Sequence, residues 1–378
     1  MSAIYLDNNA TTQPLPEVIE TVARHSFESY GNPSSRHSLG RKARQVLENS
    51  REQIAQILGA TPGELLFTSG GTEANNLAVF GLTTGTPATI AMSPGEHPSN
   101  REACRVRQQQ GWRLETLAVD GSGRFDPTAP SWNELNWNDV RLAAVILAHN
   151  ETGVIQSLPP FMSRAAEFGF PVHLDGVQAV GKIPINFREL SATTLSFGAH
   201  KFHGPRGIGG LLIREDARLS TDFAVGGLQE SGRRAGTEPV ALAAGMAKAI
   251  ELWHQSRTGT SERMIQLRDR LEQQLEALAG PTVVNGGSAP RLPNTLNVSF
   301  PGVDGEALLV ALDLEGVCCS LGSACASGSI EPTPILVAMG LSPDLYRSAL
   351  RLTLSRLTSQ DEIDEAARRI AGVVKYLR

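Results

Sequence analysis

A chain of 378 residues is too long for one small core, so two domains, or one large domain with a smaller appendage, are expected. With 41% hydrophobic and 19% charged residues, its composition is that of an ordinary globular protein. The 39 acidic and 34 basic side chains leave a formal charge of −5, which argues against a basic nucleic-acid surface, and apolar runs such as 143–148 are too short for a membrane span.

The opening MSAIYLDNNATTQ has neither a basic nor an apolar leader region, so no signal peptide is expected and the cytoplasm is the expected location. The four cysteines, Cys104, Cys318, Cys319 and Cys325, form no C-x-x-C pair and suit neither a disulfide framework nor a zinc site. HKFH is too isolated to read as a metal motif. Any one of these thiols, taken alone, reads as a small buried hydrophobe.

From residue 64 onward, short apolar runs ending in polar or glycine residues alternate with helical patterns. ELLFTSGG, PATIAMSPGEH, RLAAVILAHNETG, PVHLDGVQ and TTLSFGAHK read as buried strands; EANNLAVFGL, REACRVRQQQ and SRAAEFG read as helices. This alternation predicts a mostly parallel sheet covered by helices, an α/β fold. The pattern changes near 255. Met264, Leu267, Leu271, Leu275 and Leu278 mark an amphipathic helix stopped by Gly280-Pro281. NTLNVSF and GVCCS read as strands around helical EALLVAL, and SQDEIDEAARRIAGVVKYL closes the chain as a further helix. A smaller α+β domain is therefore expected after a boundary at 250–260.

Ligands of open parallel sheets gather outside the carboxyl ends of the strands. Five successive ends carry polar groups here. Thr68 to Glu73 (TSGGTE) is a glycine turn running into a helix, suited to a phosphate, although a tight turn alone would look the same. Glu96-His97 and His149-Asn150-Glu151 follow. His173-Leu174-Asp175 places an acid at a buried strand end, where it needs a cationic or hydrogen-bonding partner such as a protonated pyridine nitrogen. Gln178 lies one turn on. Lys201 leaves an apolar strand into glycine-rich surroundings; condensing with an aldehyde cofactor would relieve the cost of a buried ammonium. GVQAVGK, residues 176–182, matches a P-loop except that Ile183 stands where a metal-binding hydroxyl is required. There is neither G-x-G-x-x-G nor G-x-S-x-G.

Together, YLDNNATT, YGNPSSRHSLGRKAR, FTSGGTEANN, GEHPSN, HNETGVIQ, HLDGVQAVGK, AHKFHGPRGIGG, GTEP (236–239) and GSACASGSIEP (322–332) resemble cysteine desulfurases of the NifS/IscS type, in order along nearly the whole chain. The resemblance implies a pyridoxal-phosphate (PLP) enzyme of fold-type I in the class-V aminotransferase family, with a large domain at 15–255 and a small domain at 1–14 and 256–378. It implies Lys201 as the covalent anchor of PLP, Asp175 at the pyridine nitrogen, and His97 stacked on the ring and moving protons. Asn150 and Gln178 would contact the ring oxygen. Gly71, Thr72 and His200 would hold the phosphate, with Thr237 of the other subunit of a homodimer. Arg351 would bind the substrate carboxylate, with Asn32 assisting.

Cys325, in the small-residue stretch SLGSACASG (320–328), would accept sulfur from L-cysteine as a persulfide, releasing L-alanine. The loop is similar to that of group I desulfurases. A sulfur acceptor such as an iron–sulfur scaffold protein is the implied partner, and Cys325 itself is a candidate transient iron–sulfur ligand; no resident metal is implied. An aminotransferase or selenocysteine lyase of the same fold, and a non-catalytic sulfur-transfer scaffold, remain alternatives. The sequence departs from the family at three positions: Gly198 replaces the serine of S-x-H-K, RAGT replaces RSGT, and Gly176 follows Asp175 where alanine is common.

Overall fold

The computed structural model describes residues 3–220, 225–321 and 332–378. Cys325, the expected sulfur acceptor, lies outside the described residues.

Two helices, α1 (Pro16–Glu28) and α2 (Ser38–Ile57), precede a seven-stranded sheet. Its strands are β1 (Leu65–Thr68), β2 (Thr89–Met92), β3 (Arg113–Thr116), β4 (Val140–Ile146), β5 (Val172–Asp175), β6 (Thr194–Gly198) and β7 (Gly209–Ile213). They lie in the order β1-β7-β6-β5-β4-β2-β3. Only β7 runs antiparallel to its neighbours, so the ends of β1, β2, β4, β5 and β6 share one edge, as the sequence predicts. Central strands β4 to β6 are nearly all buried, as a sheet covered on both faces requires. Helices α3 (Gly71–Leu82) and α4 (Pro98–Gln109) start directly beyond β1 and β2. Edge strand β3 and strand β7 were absent from the sequence expectation.

The helix expected after 255 belongs to one continuous helix, α5 (Val240–Ala279). Its first half places Ala243, Met246, Ile250 and Trp253 in the large core, alongside Leu47, Phe67, Val145 and Phe161. Its second half places Leu267, Leu271 and Leu275 in a separate core. Leu278 is 39% exposed, and Ala279 takes the buried position beside it.

The second core lies against four strands, β8 (Val283–Val284), β9 (Thr295–Ser299), β10 (Ser320–Leu321) and β11 (Ala349–Thr353), in the antiparallel order β10-β11-β9-β8. Helix α6 (Gln360–Leu377) covers it, started by a capping box between Ser359 and Glu362. Ile4–Tyr5, from the start of the chain, pairs in parallel with Val317–Cys318. Among the described residues no helix is long and apolar enough to cross a membrane.

Candidate active site

The carboxyl edge of the large sheet encloses a cavity of about 210 Å³. Gly71, Thr72, His97, Asn150, Asp175, Gln178, His200 and Lys201 all line it, joined by Asn75 and Ser99. The sequence had placed these groups on five separate strand ends, and the sheet order brings them together.

At one end lies the start of α3. Gly70 has φ +157°, a backbone that side chains disfavour, and a Cβ on Gly71 would stand 2.6 Å from Val177 Cγ2. Both glycines are therefore required for the turn. The first N–H groups of α3 have no intrahelical acceptor and form an anion-binding end. His200 stands nearby, its Nδ1 3.2 Å from Thr11 Oγ1; burial and the adjacent Lys201 push its pKa down to about 4.

Asp175 is 3% exposed at the end of β5. Its oxygens accept from Asn75 Nδ2 at 2.8 Å and from the Val177 amide at 2.9 Å. Among the described residues it has no ion-pair partner. Asn75 is oriented by His173, whose Nε2 lies 3.0 Å from Asn75 Oδ1 and whose Nδ1 lies 2.9 Å from Thr194 Oγ1. Burial holds the His173 pKa near about 4, so this imidazole stays neutral and supplies a proton to one neighbour only. Asn75 also reaches Ser99 Oγ at 2.7 Å, and Ser99 reaches His97 Nδ1 at 2.7 Å. His97 thus presents its ring to the cavity from a fixed anchor. Desolvation lowers its pKa, with Asp175 acting in the opposite sense.

Lys201 leaves β6 through a single 3-10 turn, Ala199–Lys201. Its Nζ donates to the carbonyl oxygens of Asn9 at 2.7 Å and Ala10 at 2.9 Å. Burial and then the charge of Arg351 bring its pKa down to about 8, against the pull of Asp175. Two carbonyl acceptors match the two hydrogens of a neutral amine and leave its lone pair free. Beneath it Lys182, fully buried, donates to Asn9 Oδ1 at 2.7 Å and to Gln178 Oε1. Gln178 Nε2 in turn donates to Asn9 O at 2.9 Å.

These residues fit pyridoxal phosphate. An uncompensated buried carboxylate suits a protonated pyridine nitrogen, a poised amine suits an aldehyde, and a glycine-built helix start suits a phosphate. Asn150 Oδ1, buried without a hydrogen-bond partner among the described residues, adds a polar atom on the same wall.

Arg351, on β11, is 8% exposed. Its Nη2 donates to Asp7 at 2.8 Å and its Nη1 to Glu151 at 2.7 Å. Thr237 and Asn32 stand outside the lining of this cavity, and both are exposed. Asn32 Oδ1 accepts from the Ser34 amide at 2.8 Å within its own turn.

Sequence reasoning missed Asn75, Ser99, Lys182, Asn9 and the carboxylate partners of Arg351. Asn75 had a readable signal: it follows Gly71 by four residues and so shares its helix face. Ser99, Lys182 and Glu151 lie within four residues of His97, Gln178 and Asn150, but their bonds to Asn75, Asn9 and Arg351 join segments remote in the chain, as do those of Asp7 and Asn9.

Residues 4–366 match the family described as aminotransferase class-V. A cysteine desulfurase of Trichormus azollae is 40% identical over 383 residues, covering 100% of this chain and 94% of the relative. A solved structure described as a NifS-like protein superposes with a TM-score of 0.90 at 31% identity, covering 99% of this chain and 100% of the other. Another, SspA in complex with cysteine, has a TM-score of 0.81 at 28% identity, with coverage of 94% and 99%. A match of this extent, on a fold that gathers a lysine, a buried aspartate and a glycine-built helix start at one sheet edge, has one reading: the chain belongs to the class-V aminotransferase family, within its pyridoxal-phosphate-dependent cysteine desulfurases.

Proposed function

We propose that this enzyme takes sulfur from L-cysteine, releases L-alanine, and carries the sulfur as a persulfide on Cys325. The observation that carries the reading is Lys201: an amine with its pKa lowered to about 8 shares one cavity with a buried aspartate that has no cationic partner among the described residues. PLP, when bound, supplies an electron sink for the substrate Cα. The chain's own groups do the rest. Arg351 binds the α-carboxylate through its guanidinium. Asp175, held by Asn75 and the Val177 amide, would keep a proton on the pyridine nitrogen. Lys201, as a neutral amine, would remove the Cα proton, and His97 would stand against the ring as a second proton carrier. Gly71, Thr72 and His200 would hold the phosphate, and Asn150 and Gln178 would contact the ring oxygen.

Cys325, as thiolate, attacks the substrate sulfur. The S–S bond forms as the Cβ–S bond breaks, its electron pair stays with the carbon skeleton, and protonation there yields alanine. Thiol and cysteine enter; persulfide and alanine leave, with no outside oxidant or reductant.

The same reading takes the enzyme to be a cytoplasmic homodimer, with Thr237 reaching the partner subunit's phosphate site, which accords with its exposure outside its own cavity. It takes residues 15–255 as the PLP domain and 1–14 with 256–378 as the small domain, in accord with the two separate cores. Asn32 assists at the substrate end, and an acceptor protein, such as an iron–sulfur scaffold, removes the sulfur. The test is Cys325→Ala. It should retain PLP and change its visible spectrum on adding L-cysteine, yet release almost no alanine. Wild-type levels of alanine from that variant would move the nucleophile elsewhere; alanine formed by the wild type only when pyruvate is supplied as amino acceptor would instead make the enzyme an aminotransferase.

A further inference from the structure

Arg351 is the charged side chain through which the proposed reading binds the substrate carboxylate, and it already has two carboxylate partners. Asp7 meets Nη2 from the N-terminal segment, and Glu151 meets Nη1 from the loop after β4. All three side chains are largely buried, at 9%, 20% and 12% exposure for Arg351, Asp7 and Glu151. An arriving α-carboxylate would make a third anion around one guanidinium, and inside a protein that repulsion is little screened.

The two resident carboxylates are not equivalent. Asp7 is tied in further: Ser320 Oγ donates to Oδ1 at 2.9 Å, and its backbone bridges to Thr353 on β11. Glu151 is poorly satisfied. Its Oε2 is buried with no hydrogen-bond partner among the described residues, and the same holds for its neighbours Asn150 Oδ1 and Arg351 Nε. Among the described residues its Oε1 takes Asn150 Nδ2 and the guanidinium alone. Burial raises its pKa, opposed by Arg351. Of the two anions, Glu151 is therefore the less firmly held, and displacing it still carries the cost of leaving a buried carboxylate unpaired.

We propose that Glu151 is a resident competitor for Arg351, holding the guanidinium in the ligand-free enzyme and yielding it to the α-carboxylate of the incoming amino acid. The inference rests on Arg351 being the carboxylate site. Its consequence is that substrate and product are both held less tightly than a bare arginine would hold them. Such uniform weakening raises KM and speeds release of alanine without altering the bond-breaking steps. Glu151 is thus an affinity-setting residue: it weakens every carboxylate ligand of Arg351 by the same amount, and an amino acid still binds because it also engages the cofactor end of the cavity.

The test is equilibrium binding of L-alanine to the holoenzyme by calorimetry, with KM for L-cysteine measured beside it, in wild type, Glu151→Gln, Glu151→Ala and Arg351→Gln. Glutamine keeps the shape and a hydrogen bond to Nη1 while removing the charge; alanine removes the competitor outright. Both Glu151 variants should bind L-alanine about ten-fold more tightly, since relief of like-charge juxtaposition favours binding, and KM for L-cysteine should fall. Arg351→Gln should bind it more weakly. A merely structural Glu151 has the opposite signature: equal or weaker binding in both Glu151 variants, with Arg351→Gln still impaired, would overturn the inference alone. Undiminished binding in Arg351→Gln would overturn the assignment of Arg351, and this inference with it.

Discussion

Gly198 stands where the resemblance to cysteine desulfurases implies a serine, and the structure allows its effect to be worked out. The residue closes β6 with φ −134° and ψ 129°, an extended backbone open to any side chain. A Cβ built there would meet Gly71 N at 3.5 Å and His200 Cδ2 at 3.6 Å, ordinary contacts that displace nothing. Its direction is toward the start of α3, so a hydroxyl on that carbon would join the group of donors that face the phosphate. Hydrogen bonds to charged groups contribute roughly 1.5–3 kcal/mol. At about 1.4 kcal/mol per factor of ten, Gly198→Ser should tighten PLP binding on the order of 10- to 100-fold. The covalent link through Lys201 masks this in the intact enzyme, so the assay is a PLP titration of Lys201→Ala with and without Gly198→Ser, followed by absorbance. Equal or weaker binding after the change to serine would show that the missing hydroxyl is no deficit, because a water or His200 already does its work.

Lys201 must be neutral to condense with an aldehyde, so in the cofactor-free chain the rate of PLP capture, trapped with borohydride, should level off above about pH 8 and fall ten-fold per unit below it; a rate still climbing ten-fold per unit through about pH 9.5 would mean an ordinary lysine. Gly176→Ala, which introduces the residue that the family resemblance implies there, would set a Cβ 2.9 Å from Ser196 O and 3.0 Å from Leu195 Cγ. It should cost about 1–3 kcal/mol in denaturant unfolding, and an unchanged midpoint would contradict the packing seen here. If Thr237 completes the partner subunit's site, sedimentation at assay concentration should find activity only in the dimer; an active monomer would refute that.

What could be read from the sequence, and what could not, follows from where the information resides. Strands β4, β5 and β6 were legible because burial on both faces demands unbroken apolar runs, and their ends were legible because those runs stop at polar residues. Strand β3, Arg113–Thr116, has exposed and half-buried residues at the sheet edge, so it left no apolar signature. Strand β7 was hidden among glycines that a lysine-bearing loop also explains. The continuity of α5 through residue 255 was missed because its buried stripe moves from one core to another midway. The strand-end residues that line the cavity were legible; the side chains that support them were not. Asp7 bonds Arg351 across 344 positions, and Asn75 bonds Asp175 across 100, distances over which periodicity is silent.

The pairing of Ile4–Tyr5 with Val317–Cys318, and of Asp7 with Arg351, bears on how the protein is made. The large core draws its residues from the first part of the chain up to Trp253 and, beyond it, Leu292, so that layer can consolidate while synthesis continues. The segment Ile4–Asp7 cannot do the same, because its partners lie far later in the chain. Until Val317–Cys318 and β11 are made, that strand has no neighbour and Asp7 has no guanidinium to meet. The grip on a carboxylate is thus the last part of the site to form.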